Sequence, residues 1–429
     1  MEKTKESPKV ANRSPKTATI FYHGACQDGL FSAVLIQMFS FVTKDSSTSH
    51  LKGFLDNCFE SIESAETPKN VKFIPDTAIQ EVASPEYTGE CKNLDFEGFE
   101  TGYRFIPYYH SNPSEKFDFC RNLTREERKF CVMNDISRIE TAFELAEIFE
   151  EVYMVDHHKT AVSSIKAFKD ANKAIPSNLR VIISPRYSAT LIFYYLFHQF
   201  SSKFANFFDF EFGVQLHRLV DLANQKDTMS KRVVCQDTKD LSMAIIHLKI
   251  VEKFNSAGDH LEPVIQGFFA RSLKDYIEIG APILKARAEM ISKLAEEKAK
   301  KVKFFYSKRG SDKSTKKEDM SSFECFFCVI ESSLVSPMAN HLVNVSIKHG
   351  LSPVGAVATE VHSGENGQSE GGSFFRLSFR GEFLGSEDPL SIKNVDLEEV
   401  AFSYGGGGHR AAAGAKVDRL EQILEYLEE

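Results

Sequence analysis

The sequence predicts an α/β protein: a doubly wound, mainly parallel sheet, followed beyond a helical connector by a smaller α/β domain. Three observations carry that prediction. Short apolar, β-branched runs alternate with apolar helical runs between residues 17 and 200, residues 227–303 read as mostly helical, and strand-like runs return after residue 304. Strands that alternate with helices pair in parallel through right-handed crossovers, and the carboxyl ends of such strands form the active face of the sheet. A chain of 429 residues also exceeds what one compact core organises, so two domains are expected on length alone.

Residues 1–17, rich in Lys, Ser, Thr and Pro without apolar periodicity, read as a disordered tail. The first domain, 18–245, opens on a strand at 17–23 and, after a glycine-containing turn, a helix at 30–39 that is apolar almost all round. Residues 41–103 are Ser-, Thr-, Glu- and Asn-rich with weak periodicity and read as a poorly ordered surface insertion. A strand at 129–134, an amphipathic helix at 138–149, strands at 151–155 and 179–183 and a buried helix at 189–200 follow. Residues 246–303 form the connector, whose last helix carries Lys298, Lys300, Lys301 and Lys303, read as a solvated C-terminus favoured by the helix dipole ahead of a substrate-facing patch. The second domain, 304–429, is expected to hold strands at 323–331, 354–360 and 374–380, helices at 338–345 and 395–402, and a terminal helix at 420–427. The polar stretches 308–321 and 362–373 read as solvated loops, and no internal repeat is present.

Composition narrows the function classes. Apolar residues at 42% suffice for real cores, and no apolar run is long enough to span a membrane or to read as a signal peptide. A formal charge of −8 argues against a protein held on long nucleic acid by a basic surface. The eight cysteines (Cys26, Cys58, Cys91, Cys120, Cys131, Cys235, Cys325, Cys328) are too sparse for a disulfide scaffold and point to a reducing compartment, the cytoplasm.

Chemistry-bearing residues gather at predicted strand ends: His23 with Asp28, then Asp135, then Asp156-His157-His158, with Asp221 or Asp227 closing a later helix. A single strand-end Asp is usually a helix cap, but several at successive strand ends form a ligand set. Mixed imidazole and carboxylate donors suit Mn²⁺, Fe²⁺, Co²⁺ or Zn²⁺. In the second domain Gly405-Gly406-Gly407-Gly408-His409-Arg410 precedes an Ala-rich run closed by Gly414, a segment whose backbone N–H groups suit a phosphate.

These motifs together resemble the DHH/DHHA1 phosphoesterase family. The resemblance runs from about residue 17 to the C-terminus apart from the insertion, with a His-Gly-x-Cys-x-Asp-Gly first motif at 23–29 and the pairing of Asp156-His157-His158 with the glycine-rich His409 segment as its most specific part. It implies a metal-binding domain at 18–245 and a substrate-binding domain at 304–429. It further implies two divalent ions, Mn²⁺ first, with Co²⁺, Zn²⁺ or Mg²⁺ as alternatives. Carried over by position, His23, Asp28, Asp135, His157 and Asp227 would hold metal, with Cys26 and Asp221 as weaker candidates. Asp135 would bridge the ions, His158 would meet the reacting phosphate or support the metal ligands, and Asp156 would orient the imidazoles. Gly406, Gly407, Gly408, His409, Arg410 and Arg380 would contact substrate.

One departure stands out: Cys26 occupies the place where the family's commoner pattern has a carboxylate, and the spacing from His23 is one residue short. The first metal site is therefore expected to be weaker, differently liganded or shifted toward a softer ion. Cys325-Phe-Phe-Cys328 lacks a second pair at zinc-site spacing and reads as two buried structural thiols. The resulting expectation is hydrolysis of a phosphodiester or phosphomonoester of a short oligonucleotide or nucleotide-like molecule. A catalytically weakened nucleotide-binding regulator and a single-strand exonuclease are the alternatives, and oligomeric state stays open, a homodimer included.

Overall fold

The structure is a computed structural model, and it describes residues 17–24, 26–45, 47–62, 68–74, 102–109, 117–171, 173–205, 210–228, 236–257, 261–308, 320–331, 334–362, 373–382 and 393–427. The chain divides into two compact units, Met1–Ile283 and Leu284–Glu429.

The first unit is built on six strands: β1 (Ala18–His23), β2 (Val71–Phe73), β3 (Tyr103–Tyr108), β4 (Phe130–Asn134), β5 (Glu151–Asp156) and β6 (Leu179–Ile183). Their order is β2-β6-β5-β4-β1-β3, and among the described residues every pairing is parallel. The strands read as continuous apolar runs because both faces are covered. Ile20, Tyr22, Val132, Tyr153 and Val155 enter one core, with the helices Gln27–Thr43 and Ala189–Phe200. Phe21, Met133, Val152 and Met154 enter another, with the helices Ile139–Ile148 and Lys159–Asp170. Each such side chain, fully buried, is worth about 1.5–3 kcal/mol. The helix after β1 thus packs on one face and the helix after β4 on the other. Their adjacent strands form a topological switch point, where a crevice opens beyond the carboxyl ends.

The insertion departs from expectation. The helix Thr48–Ser61 buries Leu51, Leu55, Cys58 and Phe59, and β2 closes one edge of the sheet beside β6. Lys52 and Arg180 both pair with Asp56 and Glu151, and the Tyr153 hydroxyl donates to Asp56, which ties that helix to β5 and β6. The sparse apolar residues of this stretch sit on one helix face, so weak overall periodicity concealed a folded element. Residues 75–101 lie outside the described residues, as do 1–16 of the expected tail. The β3 edge strand, carrying Pro107 where no ladder N–H is needed, was not foreseen either. The helices Gln236–His247, Ile250–Ala257 and Glu262–Phe269 deliver Leu241, Ile250, Phe254 and Ile265 into the first unit's core.

The second unit holds β7 (Lys300–Tyr306), β8 (Ser321–Val329), β9 (Val354–His362), β10 (Ser373–Gly381), β11 (Gly407–His409), β12 (Ala412–Val417) and β13 (Leu424–Tyr426). They form a mixed sheet of order β11-β12-β10-β9-β8-β7-β13, in which β8 and β9 run parallel. Two expectations are corrected here. Lys300, Lys301 and Lys303 belong to β7 rather than to a helix C-terminus, and Lys301 pairs with Glu324 on β8. The expected terminal helix is a short 3-10 turn, Leu420–Gln422, followed by β13 on the edge of β7. Its apolar spacing is helical, but the free edge of β7 offers a ladder that a lone C-terminal helix lacks. Most of the two polar loops lies outside the described residues. Cys325 and Cys328, three apart on β8, are buried in cores on opposite faces of the sheet, so the pair holds neither a disulfide nor one ion.

Candidate metal centre

The crevice beyond β1, β4 and β5 receives the predicted ligands from four directions. β1 ends at His23, and the turn that follows begins the helix Gln27–Thr43 with Cys26 as its N-cap. Gly29 donates its N–H to Cys26 Sγ at 3.2 Å. A Cβ on Gly29 would stand 2.3 Å from the His23 carbonyl oxygen, so the turn closes this tightly only with glycine there. Asn255 braces the same turn: its side chain donates to Gly24 O at 2.7 Å and accepts from the Tyr22 hydroxyl at 2.9 Å.

Asp28 lies in the first helical turn and accepts from the backbone N–H groups of Ala189 and Thr190 at 2.8 and 2.9 Å. Its carboxylate therefore sits at the N-terminus of the Ala189–Phe200 helix, where negative charge is favoured. Burial, reinforced by the neighbouring charge of Asp135, nevertheless pushes the group up to about 7. Asp135 directly follows β4, with φ of 54°, a left-handed conformation that Asp tolerates better than most residues, and its N–H is held by Val155 O. That backbone twist presents both carboxylate oxygens to the crevice. Oδ2 accepts from Cys26 Sγ at 2.8 Å and lies 3.5 Å from His23 Nδ1, while Oδ1 lies 3.3 Å from His157 Nε2. Burial opposes its charge, yet the close imidazoles of His157 and His23 hold Asp135 well below the usual carboxylate range.

β5 ends in Asp156, His157 and His158. His157 Nε2 meets Asp227 Oδ2 at 2.6 Å and stands 3.8 Å from Asp28 Oδ2. His158 is fixed by Asp156, whose Oδ1 is 2.8 Å from Nδ1. Burial opposes the charged imidazoles, yet the surrounding carboxylates raise both histidines overall. Burial, with Asp135 and Asp28 next, pushes the Cys26 thiol far above its ordinary value, so in the metal-free pocket it is a neutral donor. Asp227 closes the helix Phe210–Thr228; Asp221, further up that helix, accepts from Gln225 and belongs to none of the ligand groups among the described residues.

Three groups of ligand atoms lie within 4.8 Å of one another: His23, Cys26 and Asp135; Asp28, Asp135, His157 and Asp227; and Asp135, Asp156, His157 and His158. Asp135 belongs to all three. The donor set fits divalent ions on two counts. Buried carboxylates this close repel one another unless a cation compensates them. In addition, Asp135 Oδ1 and His157 Nε2 are buried without a hydrogen bond of sound geometry, as ligand atoms facing a common ion would be.

In the second unit the glycine run is more committed than the sequence suggested. Gly405, at φ of 75°, and Gly406 return their N–H groups to Phe402 O and Ala401 O, capping the helix Leu397–Ser403. A Cβ on Gly406 would lie 2.1 Å from Gly414 O. The N–H of Gly406 is thus spent on the cap, while Gly407 to His409 form the edge strand β11. Arg410 pairs with Asp396 at 3.5 Å. Arg380 shares a row with Ala412 on β12 and, through it, His409 on β11, and its guanidinium donates to Ser336 Oγ and Phe379 O. Arg376 and Lys416, also paired in register, share the Arg380 face of the sheet, with Lys416 over the Phe374 ring. Sequence reasoning missed these two cations, although period-2 spacing from Arg380 was the signal that could have found Arg376.

No family model matches the chain, and no curated protein does. Among solved structures the chain is similar to "pGpG-specific phosphodiesterase - PggH from Vibrio cholrae", at 10% identity and a TM-score of 0.35, over 95% of this chain and 94% of that one. A likeness of that degree assigns neither family nor activity to this chain.

Proposed function

We propose that this protein is a divalent-metal-dependent phosphoesterase of the DHH/DHHA1 type, acting on a phosphodiester or phosphomonoester of a short oligonucleotide or nucleotide-like substrate. One observation carries the reading: the two oxygens of a single buried carboxylate, Asp135, face two different ligand groups, His23 with Cys26 and His157 with Asp28 and Asp227. Two divalent ions bound there, Mn²⁺ first and Co²⁺, Zn²⁺ or Mg²⁺ otherwise, would supply a lowered water pKa and charge compensation at the phosphate. The chain's own residues do the rest. Asp156 fixes the ring of His158 beside the ligand groups, so a proton on that imidazole can be held toward a phosphate oxygen. Asp28, anchored by the N–H groups of Ala189 and Thr190, holds the first helical turn against the start of the Ala189–Phe200 helix. Arg380, with Arg376 and Lys416 on its face of the second sheet, supports binding of a polyanionic substrate.

The test is hydrolysis of bis-p-nitrophenyl phosphate by metal-stripped protein resupplied with Mn²⁺, beside His157→Ala. Turnover should need the metal and fall about 10³-fold in the variant, since several kcal/mol of charge stabilisation are lost at about 1.4 kcal/mol per tenfold. One observation favours a second reading, a nucleotide-binding regulator of weakened catalysis: Cys26 stands where the resemblance places a carboxylate. Folded protein that binds nucleotides but turns over no ester with Mn²⁺, Co²⁺, Zn²⁺ or Mg²⁺ would establish that alternative.

A further inference from the structure

We propose that the two metal positions are chemically unlike, the His23–Cys26–Asp135 group taking a soft divalent ion, Zn²⁺ foremost, and the Asp28–Asp135–His157–Asp227 group taking Mn²⁺ or Mg²⁺. The inference rests on the metal centre of the phosphoesterase reading and deepens it. The first group offers one imidazole nitrogen, one sulfur and one carboxylate oxygen, with Cys26 Sγ 2.8 Å and His23 Nδ1 3.5 Å from the same Asp135 oxygen. Sulfur donors select softer ions, and three protein ligands leave room for water on a four-coordinate ion. The second group offers one nitrogen and three carboxylates, which suit a hard ion of higher coordination number.

Cys26 is held at this position. Its sulfur caps the helix by accepting from Gly29, and Gly29 lies so close to the His23 backbone that a Cβ there would stand 2.3 Å from the His23 carbonyl oxygen. The choice of sulfur also has an electrostatic sense. Asp28, Asp135 and Asp227 already crowd one pocket, and a carboxylate at position 26 would add a fourth beside them. A thiol adds none until an ion binds; the S–H bond then breaks, the sulfur–metal bond forms and the proton leaves to solvent.

Full-length protein stripped by a chelator and titrated with Co²⁺ reports the sulfur directly. A thiolate-to-Co²⁺ charge-transfer band should appear in the near ultraviolet and be absent in Cys26→Ser and Cys26→Asp, both of which keep an oxygen acceptor for the helix cap. With Zn²⁺ and Mn²⁺ supplied together, elemental analysis should find both ions in the native protein. Cys26→Asp should lose Zn²⁺ preference by at least the roughly 10–100-fold that removal of an outer-shell partner costs. Folded protein that binds Co²⁺ without the band, or an unchanged Zn²⁺-to-Mn²⁺ ratio in Cys26→Asp, would overturn the inference. Neither readout requires turnover: the band without hydrolysis would sink the phosphoesterase reading alone, and hydrolysis without the band would sink this one alone.

Discussion

Asp135→Asn is expected to lose metal at both positions and about 10³-fold or more in hydrolysis, while remaining folded. Asp135 is the one residue that belongs to every ligand group, so removing its charge affects both positions at once. The loss corresponds to the several kcal/mol of charge stabilisation that bound ions supply, at about 1.4 kcal/mol per tenfold in rate. The fold should persist because Asn shares the tolerance of Asp for the φ of 54° that this position requires. Asn also keeps a carbonyl oxygen for the Cys26 thiol. A bulkier or β-branched residue would confound the experiment with backbone strain. Metal content and thermal stability are measured together. Native protein should gain about 2.7 kcal/mol when metal is raised to a hundred times its dissociation constant, and the variant should gain almost nothing. A variant that keeps both ions would remove Asp135 from the centre of the site.

Gly29→Ala should destabilise the first unit by about 3 kcal/mol, the upper end of overpacking. The added carbon would stand 2.3 Å from the His23 carbonyl oxygen and 2.7 Å from its nitrogen. Both are backbone atoms, and neither swings aside as a flexible side chain would. Relief requires the turn between β1 and its helix to open, which moves His23 and Cys26 apart and loosens the ligand group they form with Asp135. A calorimetric melt should fall by about 6–12 °C, at roughly 2–4 °C per kcal/mol, and Co²⁺ affinity should fall with it. The control is Gly53→Ala in the helix Thr48–Ser61, where an added Cβ meets nothing within 4 Å. There the lower entropy of the unfolded chain should stabilise by about 0.4–1 kcal/mol. Equal melts for the two variants would refute the steric account.

The alternation of apolar runs was enough to read the parallel core of the first unit. The strands at β1, β4, β5 and β6 and the helix Ala189–Phe200 stand within a residue or two of their expected places. Burial on both faces makes such strands uniformly apolar, and that is a local property of the chain. The same holds for the ligands: a strand that ends in the crevice must change from apolar to polar where it leaves the sheet, so His23, Asp135 and Asp156 were visible as abrupt changes of type. What failed was local text whose structure depends on a distant partner. The helix Thr48–Ser61 exists against Phe39 and Phe197, and β13 exists because β7 leaves an edge for it. Asp227 could not be separated from Asp221 by spacing; only the course of its helix past β5 brings one of them to His157. The role of Cys26 was equally undecided in one dimension, where the sequence marked only a thiol in the place of the commoner carboxylate.

By itself, then, the sequence determined which residues would form the parallel core and which polar types stand at its strand ends, because hydrophobic burial and strand period act over a few neighbouring residues. Only the tertiary structure decided which of those groups share a pocket, that both oxygens of Asp135 serve different partners, and that Cys26 faces the same oxygen as His23. Those facts depend on a left-handed twist after β4 and a glycine-tight turn after β1, and close approach of distant backbones is set by packing rather than by pattern.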